Sequence, residues 1–370
     1  MKEKIVFVVN ISLDKMGSLT IFHQFMDAMK LQQDNIKYYI FCRLDEMLKF
    51  HSENIIIEIL NLSRIDRFRF ESCYLLEWSK RNKVKADLII SLQNTSIKYF
   101  DNIPQIILFQ QSIPLSDYHW NIFVKNERQM FFYKYIYPIF VRRYIKSNTT
   151  IVTPTHWVKN AIVKKWNINP GQIQVIYSQL RTIEPNKIKV INLDHSLYHM
   201  FYPANAAPHK NHGIILLAIY NLKKINSELF RKIILHLTFN KTDSEAISKL
   251  VDQLGLNDAV SFEGRIDFEN VLSFYKESDL LLYPSFIESF GLPLIEAASF
   301  GIPIIASNLP YSREVVSEYP GVVYVNYNCP EDWAYAINEQ YNKKSRYPGY
   351  SVSFESGWAN FMNLIQEKLN

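Results

Sequence analysis

Cysteine is scarce. Cys42, Cys73 and Cys329 are odd in number and far apart, so they make neither a disulfide framework nor a zinc-ligand spacing and fit a reducing compartment. No stretch reaches the ~18 apolar residues that a membrane-spanning helix needs. The apolar run at Ile5–Asn10 is too short for a secretory leader and reads directly as a strand. The expected location is therefore the cytoplasm. Internal repeats, low-complexity runs and recognisable nucleic-acid-binding motifs are also missing, and the last argues against a nucleic-acid partner.

What is present fits a soluble globular chain. Its 370 residues suffice for two ordinary domains, with 48% hydrophobic and 21% charged residues. Charge is uneven. Residues 1–180 carry 24 Lys and Arg against 15 Asp and Glu, a net of +9; the rest carry 17 against 21, a net of −4. A basic first half suits an anionic partner such as a phospholipid surface or a lipid pyrophosphate. An ordinary solvated surface explains it equally well.

Strand patterns recur at Ile5–Asn10, Lys37–Phe41, Ile55–Leu60, Asp87–Ser91, Gln105–Phe109, Thr149–Pro154 and Gln172–Tyr177. They blur from Ser178 to Ser196, the best linker candidate. They resume at Tyr198–Pro203, Lys232–Thr238, Ala259–Phe262, Asp279–Tyr283, Ile302–Ser307 and Val322–Val325. Helical patterns fill most of the gaps. Such βα alternation predicts two α/β halves, each a parallel sheet with helices on both faces and ligands at the strand carboxyl ends. Asp117–Lys146 holds many aromatics and ends in Arg142-Arg143-Tyr144-Ile145-Lys146. It reads as a core helix, kinked by Pro138, with its last-turn cations offsetting the helix dipole, rather than as a membrane-surface face.

One stretch organises the rest: Pro284-Ser285-Phe286-Ile287-Glu288-Ser289-Phe290-Gly291-Leu292-Pro293-Leu294-Ile295-Glu296-Ala297. A strand runs into a loop, and the loop into a helix expected from about Pro293 to Phe300, ended by Gly301. The N–H groups of Ser289, Phe290, Gly291 and Leu292 fall at the positive end of that helix, a seat for a phosphate. Glu296 is expected in the first helical turn, where it can accept from vicinal hydroxyls or act as a cap. Lys210, near the start of another helix, serves no dipole there and suits an anion, as does Arg265 after Gly264. Met16-Gly17-Ser18 sits where a first βα turn would meet a ligand. His209 and His212 are spaced like metal ligands but have no third partner in the sequence.

Glu288 and Glu296 within this stretch, followed by Gly301-x-Pro303-x-Ile305 and Glu314, resemble the signature of retaining GT-B glycosyltransferases of the family 4 type. The resemblance covers the second half. It extends weakly to Ile151-Val152-Thr153-Pro154-Thr155-His156-Trp157-Val158 and Ile173-x-Val175-Ile176. His209-Lys210-Asn211-His212 looks like a variant found in polysaccharide-assembly proteins. The resemblance implies two Rossmann-like domains facing each other across a cleft. These would be an acceptor-side domain at 1–185, with the final helix at about 354–370 crossing back onto it, and a donor domain at 186–350. It implies transfer of a sugar, with retention, from a nucleotide-sugar to a glycan or lipid-linked acceptor, with possible peripheral membrane contact through the basic half.

By motif position Glu296 would hold the donor ribose, and Glu288 would contact the donor sugar. Lys210 and the 289–292 amides would hold the leaving diphosphate. Arg265 and Ile266 would lie near the base, and Gly17 would line the cleft. The family usually has an Arg at the place of Asn205 and often a His where Gln110-Gln111 stands. Gln110 cannot titrate, which leaves it a hydrogen-bonding role. The chain has no Asp-x-Asp triplet, the spacing that metal-dependent GT-A transferases use, so no metal and no cofactor are expected. The alternative is a catalytically weak GT-B protein that binds a nucleotide-sugar or partners another transferase.

Overall fold

In a computed structural model the chain is described at all residues except 1–2, 12–15, 33–34, 63–65, 67–68, 181–182, 184–187 and 351–356. It divides into two units, Met1–Gln179 with Phe354–Asn370, and Leu180–Ser353.

The first unit is a parallel sheet of β1 (Lys4–Asn10), β2 (Ile36–Cys42), β3 (Ile55–Ile59), β4 (Leu88–Ser91), β5 (Gln105–Leu108), β6 (Thr149–Thr153) and β7 (Ile173–Val175), in the order β3-β2-β1-β4-β5-β6-β7. Strands buried on both faces need no polar alternation, and β1 from Val6 to Val9 is wholly buried. Val6 and Val8 pack with Phe22, Phe25 and Met26. Phe7 and Val9 point the other way, to Phe70, Leu75 and Trp78. The C-terminal helix Gly357–Leu369 adds Trp358 and Phe361 to the first of these faces, with ring centroids 5.7 and 6.1 Å from Phe25.

The second unit is a parallel sheet of β8 (Tyr198–Tyr202), β9 (Ile233–Leu237), β10 (Val260–Phe262), β11 (Leu280–Tyr283), β12 (Ile304–Ser307) and β13 (Val322–Val325), in the order β10-β9-β8-β11-β12-β13. In each sheet the order reverses direction once, between β1 and β4 and between β8 and β11. These reversals are where open α/β sheets bind ligands.

The reading of Asp117–Lys146 as a core helix is wrong. Helical structure begins only at Lys125, and it passes through a wide π turn at Phe132–Ile136 before the last segment, Tyr137–Arg142. Pro138 sits at the second residue of that segment, where its missing N–H costs nothing, and the π turn takes up the misfit. Only Met130, Pro138 and Val141 are buried along these helical turns. Phe123 is 87% exposed and Ile139 56%, and Ile122, Val124, Phe132, Tyr135 and Ile136 are exposed too. The stretch holds more apolar side chains than one helix face can turn inward.

Candidate functional site

Loops leaving β8 and β11 diverge at the reversal point of the second sheet, and the main motif segments lie in them. After β8 the chain makes a tight turn at Pro208–Lys210. Asn211, at φ +58°, then redirects it into the helix His212–Ile225. After β11 the loop ends at Gly291 and enters the helix Leu292–Ser299. Gly291 has φ +94°, a conformation that L side chains rarely adopt.

The two segments are tied together. The Phe286 N–H donates to the His209 carbonyl at 3.0 Å, and Asn211 Nδ2 donates to the Pro284 carbonyl at 3.3 Å. The buried Tyr202 hydroxyl donates to the Lys210 carbonyl at 2.8 Å and lies 2.9 Å from Ser285 Oγ. The Tyr311 hydroxyl donates to the Ser285 carbonyl at 2.6 Å.

On this frame Lys210 Nζ meets Glu288 Oε1 at 2.5 Å, with only 17% and 14% of the two side chains exposed. Burial pushes the Glu288 carboxyl up. The charge of Lys210, with hydrogen bonds from Lys210 and Ser285, outweighs that and holds it below the ordinary range. Glu288 is therefore a carboxylate at neutral pH. Burial, and then the Lys210 charge, push His209 down to about 4 and His212 to about 3. Both imidazoles are neutral, and His209 Nδ1 and His212 Nε2 are buried without a partner. Among the described residues no group of three His, Cys, Asp or Glu could hold a metal.

The helix begins one residue earlier than the sequence suggests. Glu296 is therefore its fifth residue and lies beyond the first turn. Its Oε2 accepts from the Tyr275 hydroxyl at 3.0 Å. The amides of Gly291 and Leu292 have no partner among the described residues, so the positive helix end is open there. Ser289 is half-buried and Phe290 buried.

The structure joins Lys210 to Glu288, with Gly291 and Leu292 three and four residues further along the chain at the start of the helix. Arg265 and Ile266 follow β10, the edge strand, and Arg265 is exposed. That edge is two strand spacings, or about 10 Å, from β8. Asn205 is exposed and spends its Oδ1 on the Ala207 N–H at 3.1 Å. The sequence reading missed Tyr202, Tyr275 and Tyr311, which look like core residues. Their signal is chemical, since a buried tyrosine hydroxyl needs a partner, and here the partners are backbone and carboxylate groups of the motif.

In the first unit Gln110 follows β5 and is half-buried. Its N–H donates to Asn94 Oδ1 at 2.6 Å. The turn after β1 lies largely outside the described residues; Gly17, expected in it, falls in the first turn of the helix Met16–Lys30. At the β1/β4 reversal stands a group that the sequence did not flag. Glu71, 8% exposed, accepts from Thr95 Oγ1 at 2.6 Å and Gln93 Nε2 at 2.8 Å. Both amide atoms of the nearby Asn10 side chain, on β1, are buried without a partner among the described residues.

Burial raises Glu71 from 4.5 to about 7, although its hydrogen bonds pull the other way. Below pH 4.5 folded and unfolded chains are both protonated there. Between 4.5 and 7 the unfolded state releases its proton first, so stability falls as pH rises. Above 7 the loss is complete, about 3 kcal/mol. Glu71→Gln should remove this dependence. Urea melts of the two proteins should converge at pH 4 and separate in favour of the variant by pH 8; parallel curves would rule out a protonated Glu71.

With this geometry in place, the comparison with known families is direct. Residues 184–348 match the model of the family described as glycosyl transferases group 1. The O-antigen chain mannosyltransferase RfbU of Salmonella typhimurium is 29% identical over 209 residues, 56% of this chain and 55% of that protein. The chain thus spans about half the length of that relative. Among solved structures, a glycosyltransferase from Rickettsia africae superposes with a TM-score of 0.67 at 15% identity, covering 100% of both chains. HepE of Anabaena, crystallised with UDP and glucose, gives 0.63 at 13% identity over 99% of this chain and 96% of that one. The fold is GT-B, with two Rossmann-like parallel-sheet units. Among the described residues no helix is long and apolar enough to cross a membrane.

Proposed function

We propose that the chain is a glycosyltransferase of the retaining, family 4 type. It would move a sugar from a nucleotide-diphosphate sugar to a glycan or lipid-linked acceptor during assembly of a surface polysaccharide. The observation that carries this reading is the Lys210–Glu288 pair beside the open amides of Gly291 and Leu292, inside the segment 184–348. The O-antigen relative and the UDP- and glucose-bound neighbour support the polysaccharide and nucleotide-sugar parts.

The leaving diphosphate sits on Lys210 and the 291–292 amides, where positive charge is already in place when negative charge develops. Lys210 supplies what a divalent ion supplies in metal-dependent transferases. The acceptor attacks from the face that the diphosphate leaves, which retains configuration. Glu288 accepts from donor-sugar hydroxyls and steadies the positive charge developing at the sugar. Glu296, fixed by Tyr275, holds the ribose hydroxyls.

Glu288→Gln separates these roles. It leaves Lys210 without a counter-charge, so UDP should bind several-fold tighter while turnover falls by about 100-fold. UDP titration and transfer assays read both. If affinity and turnover drop together, Glu288 serves only the fold. Wild-type transfer in Glu296→Ala would sink the ribose assignment.

We further propose that the exposed apolar face at 122–139, flanked by Lys125 and Arg128, rests on an anionic membrane surface. Phe123→Ser with Ile139→Ser should lower co-sedimentation with phosphatidylglycerol vesicles by about tenfold. Absence of binding by the wild type, or equal binding by the variant, contradicts this.

The second reading, a weakly catalytic GT-B binding protein, is favoured by Asn205, whose side chain caps its own turn where the family usually places an Arg. Turnover of any nucleotide-sugar by the purified chain excludes it.

A further inference from the structure

A cavity of about 310 Å³ opens in the second unit at the amino ends of the strands. It lies at the opposite end of the sheet from Lys210 and Glu288. Tyr198 opens β8, Lys232 immediately precedes β9, and Asp279 immediately precedes β11; all three line it, together with Gln340, Lys344 and Arg346. The usual ligand chemistry of a parallel sheet is at the other end, so neither the motif nor the proposed transfer accounts for this cavity.

Its charge is one-sided. Lys232, Lys344 and Arg346 stand against a single lining carboxylate, Asp279, whose Oδ2 already accepts from the His199 N–H at 2.8 Å. Arg346 Nη2 is held on the carbonyls of Lys276 and Ser278 at 3.0 and 2.6 Å, which fixes the guanidinium at the rim. Lys232 has one ion-pair partner, Glu228 at 2.7 Å. That pair is largely exposed, of the kind that contributes little and exchanges readily.

The floor carries an unmet demand. Gln340 is 2% exposed, lines the cavity, and its Oε1 has no hydrogen-bond partner among the described residues. A buried amide oxygen calls for a donor such as a hydroxyl. The wall is aromatic. Tyr341 also lines the cavity and stands edge-on to Tyr198, with ring centroids 5.2 Å apart at 90°. The volume is at the lower end of the roughly 300–1,000 Å³ range of small-molecule sites, too small for a whole nucleotide-sugar.

We propose that this cavity is a second ligand site, separate from the donor site, that binds a small phosphorylated sugar. The phosphate rests on Lys232, Lys344 and Arg346. A sugar hydroxyl donates to Gln340 Oε1, and the ring lies against Tyr341.

Calorimetric titration of the full chain with glucose 6-phosphate tests this, with inorganic phosphate and glucose as separate arms and UDP present in excess to occupy the donor site. Glucose 6-phosphate should bind about tenfold tighter than phosphate or glucose alone. Lys232→Ala with Lys344→Ala should weaken it about tenfold without changing UDP affinity, because both side chains are at the surface and distant from the donor site. Gln340→Leu should reduce the sugar phosphate to the level of phosphate. The proposal is overturned if no binding survives excess UDP, if phosphate binds as well as the sugar phosphate, or if Lys210→Ala abolishes binding while the double lysine variant does not. Should none of UDP, GDP and dTDP bind, the transferase reading fails, and the lysine variants still decide the fate of this site.

Discussion

Lys210→Ala is expected to lower kcat for sugar transfer by about 10²–10³-fold. The lysine is the cation at the reversal point of the second sheet, fixed by Glu288 at 2.5 Å and by a backbone tied to Tyr202. Its charge matters most when the departing diphosphate gathers negative charge, so kcat should fall more than affinity for the donor. One complication is structural. Removing the lysine leaves the Glu288 carboxylate largely buried with no counter-ion, and breaking such a pair costs about 3–5 kcal/mol. Lys210→Met with Glu288→Gln removes both charges and should restore most of the stability without restoring activity. Transfer assays paired with urea melts separate the two effects. A double variant that regains turnover would show that Lys210 acts only through the fold.

A comparable loss of stability is expected from Gly301→Ala, at about 3 kcal/mol or more. Gly301 ends the motif helix at φ +70°, and a Cβ there would lie 2.0 Å from the Tyr347 carbonyl oxygen. The segment at Tyr347–Tyr350 cannot simply retreat. The Tyr347 N–H donates to the Gly301 carbonyl at 2.8 Å, and the Tyr350 N–H to the Ala298 carbonyl at 2.9 Å. Gly255 is the internal control. It has φ +64° but nothing within 4 Å of an added Cβ, so Gly255→Ala should cost only the left-handed penalty, about 1 kcal/mol. Urea denaturation of the two variants should differ clearly. Equal losses would mean that the Tyr347 contact has no weight.

The thirteen strands among the described residues were legible in the sequence, because most are written as short runs of β-branched, aliphatic or aromatic residues between turn residues. The one-residue-earlier start of the helix after Gly291 was not legible: where a helix starts depends on a single dihedral. That shift moved Glu296 out of the first turn. The Lys210–Glu288 contact joins residues 78 apart in sequence, and only the adjacency of β8 and β11 brings them together. The tyrosine hydroxyls behind the motif were hidden for a related reason, since a tyrosine written as core gives no sign of which backbone carbonyl it will find. At 122–139 the aromatic density was read as core when it is surface. Periodicity tells which residues share a face, but not whether that face is covered.

The central claim is that Lys210, Glu288 and the Gly291–Leu292 amides form a seat for a nucleotide-diphosphate sugar. The most direct test is ligand-detected binding of UDP-, GDP- and dTDP-sugars to the wild type and to Lys210→Ala. The account predicts that at least one donor binds the wild type and that its affinity falls at least tenfold in the variant. Binding of no donor, or binding indifferent to Lys210, would contradict it.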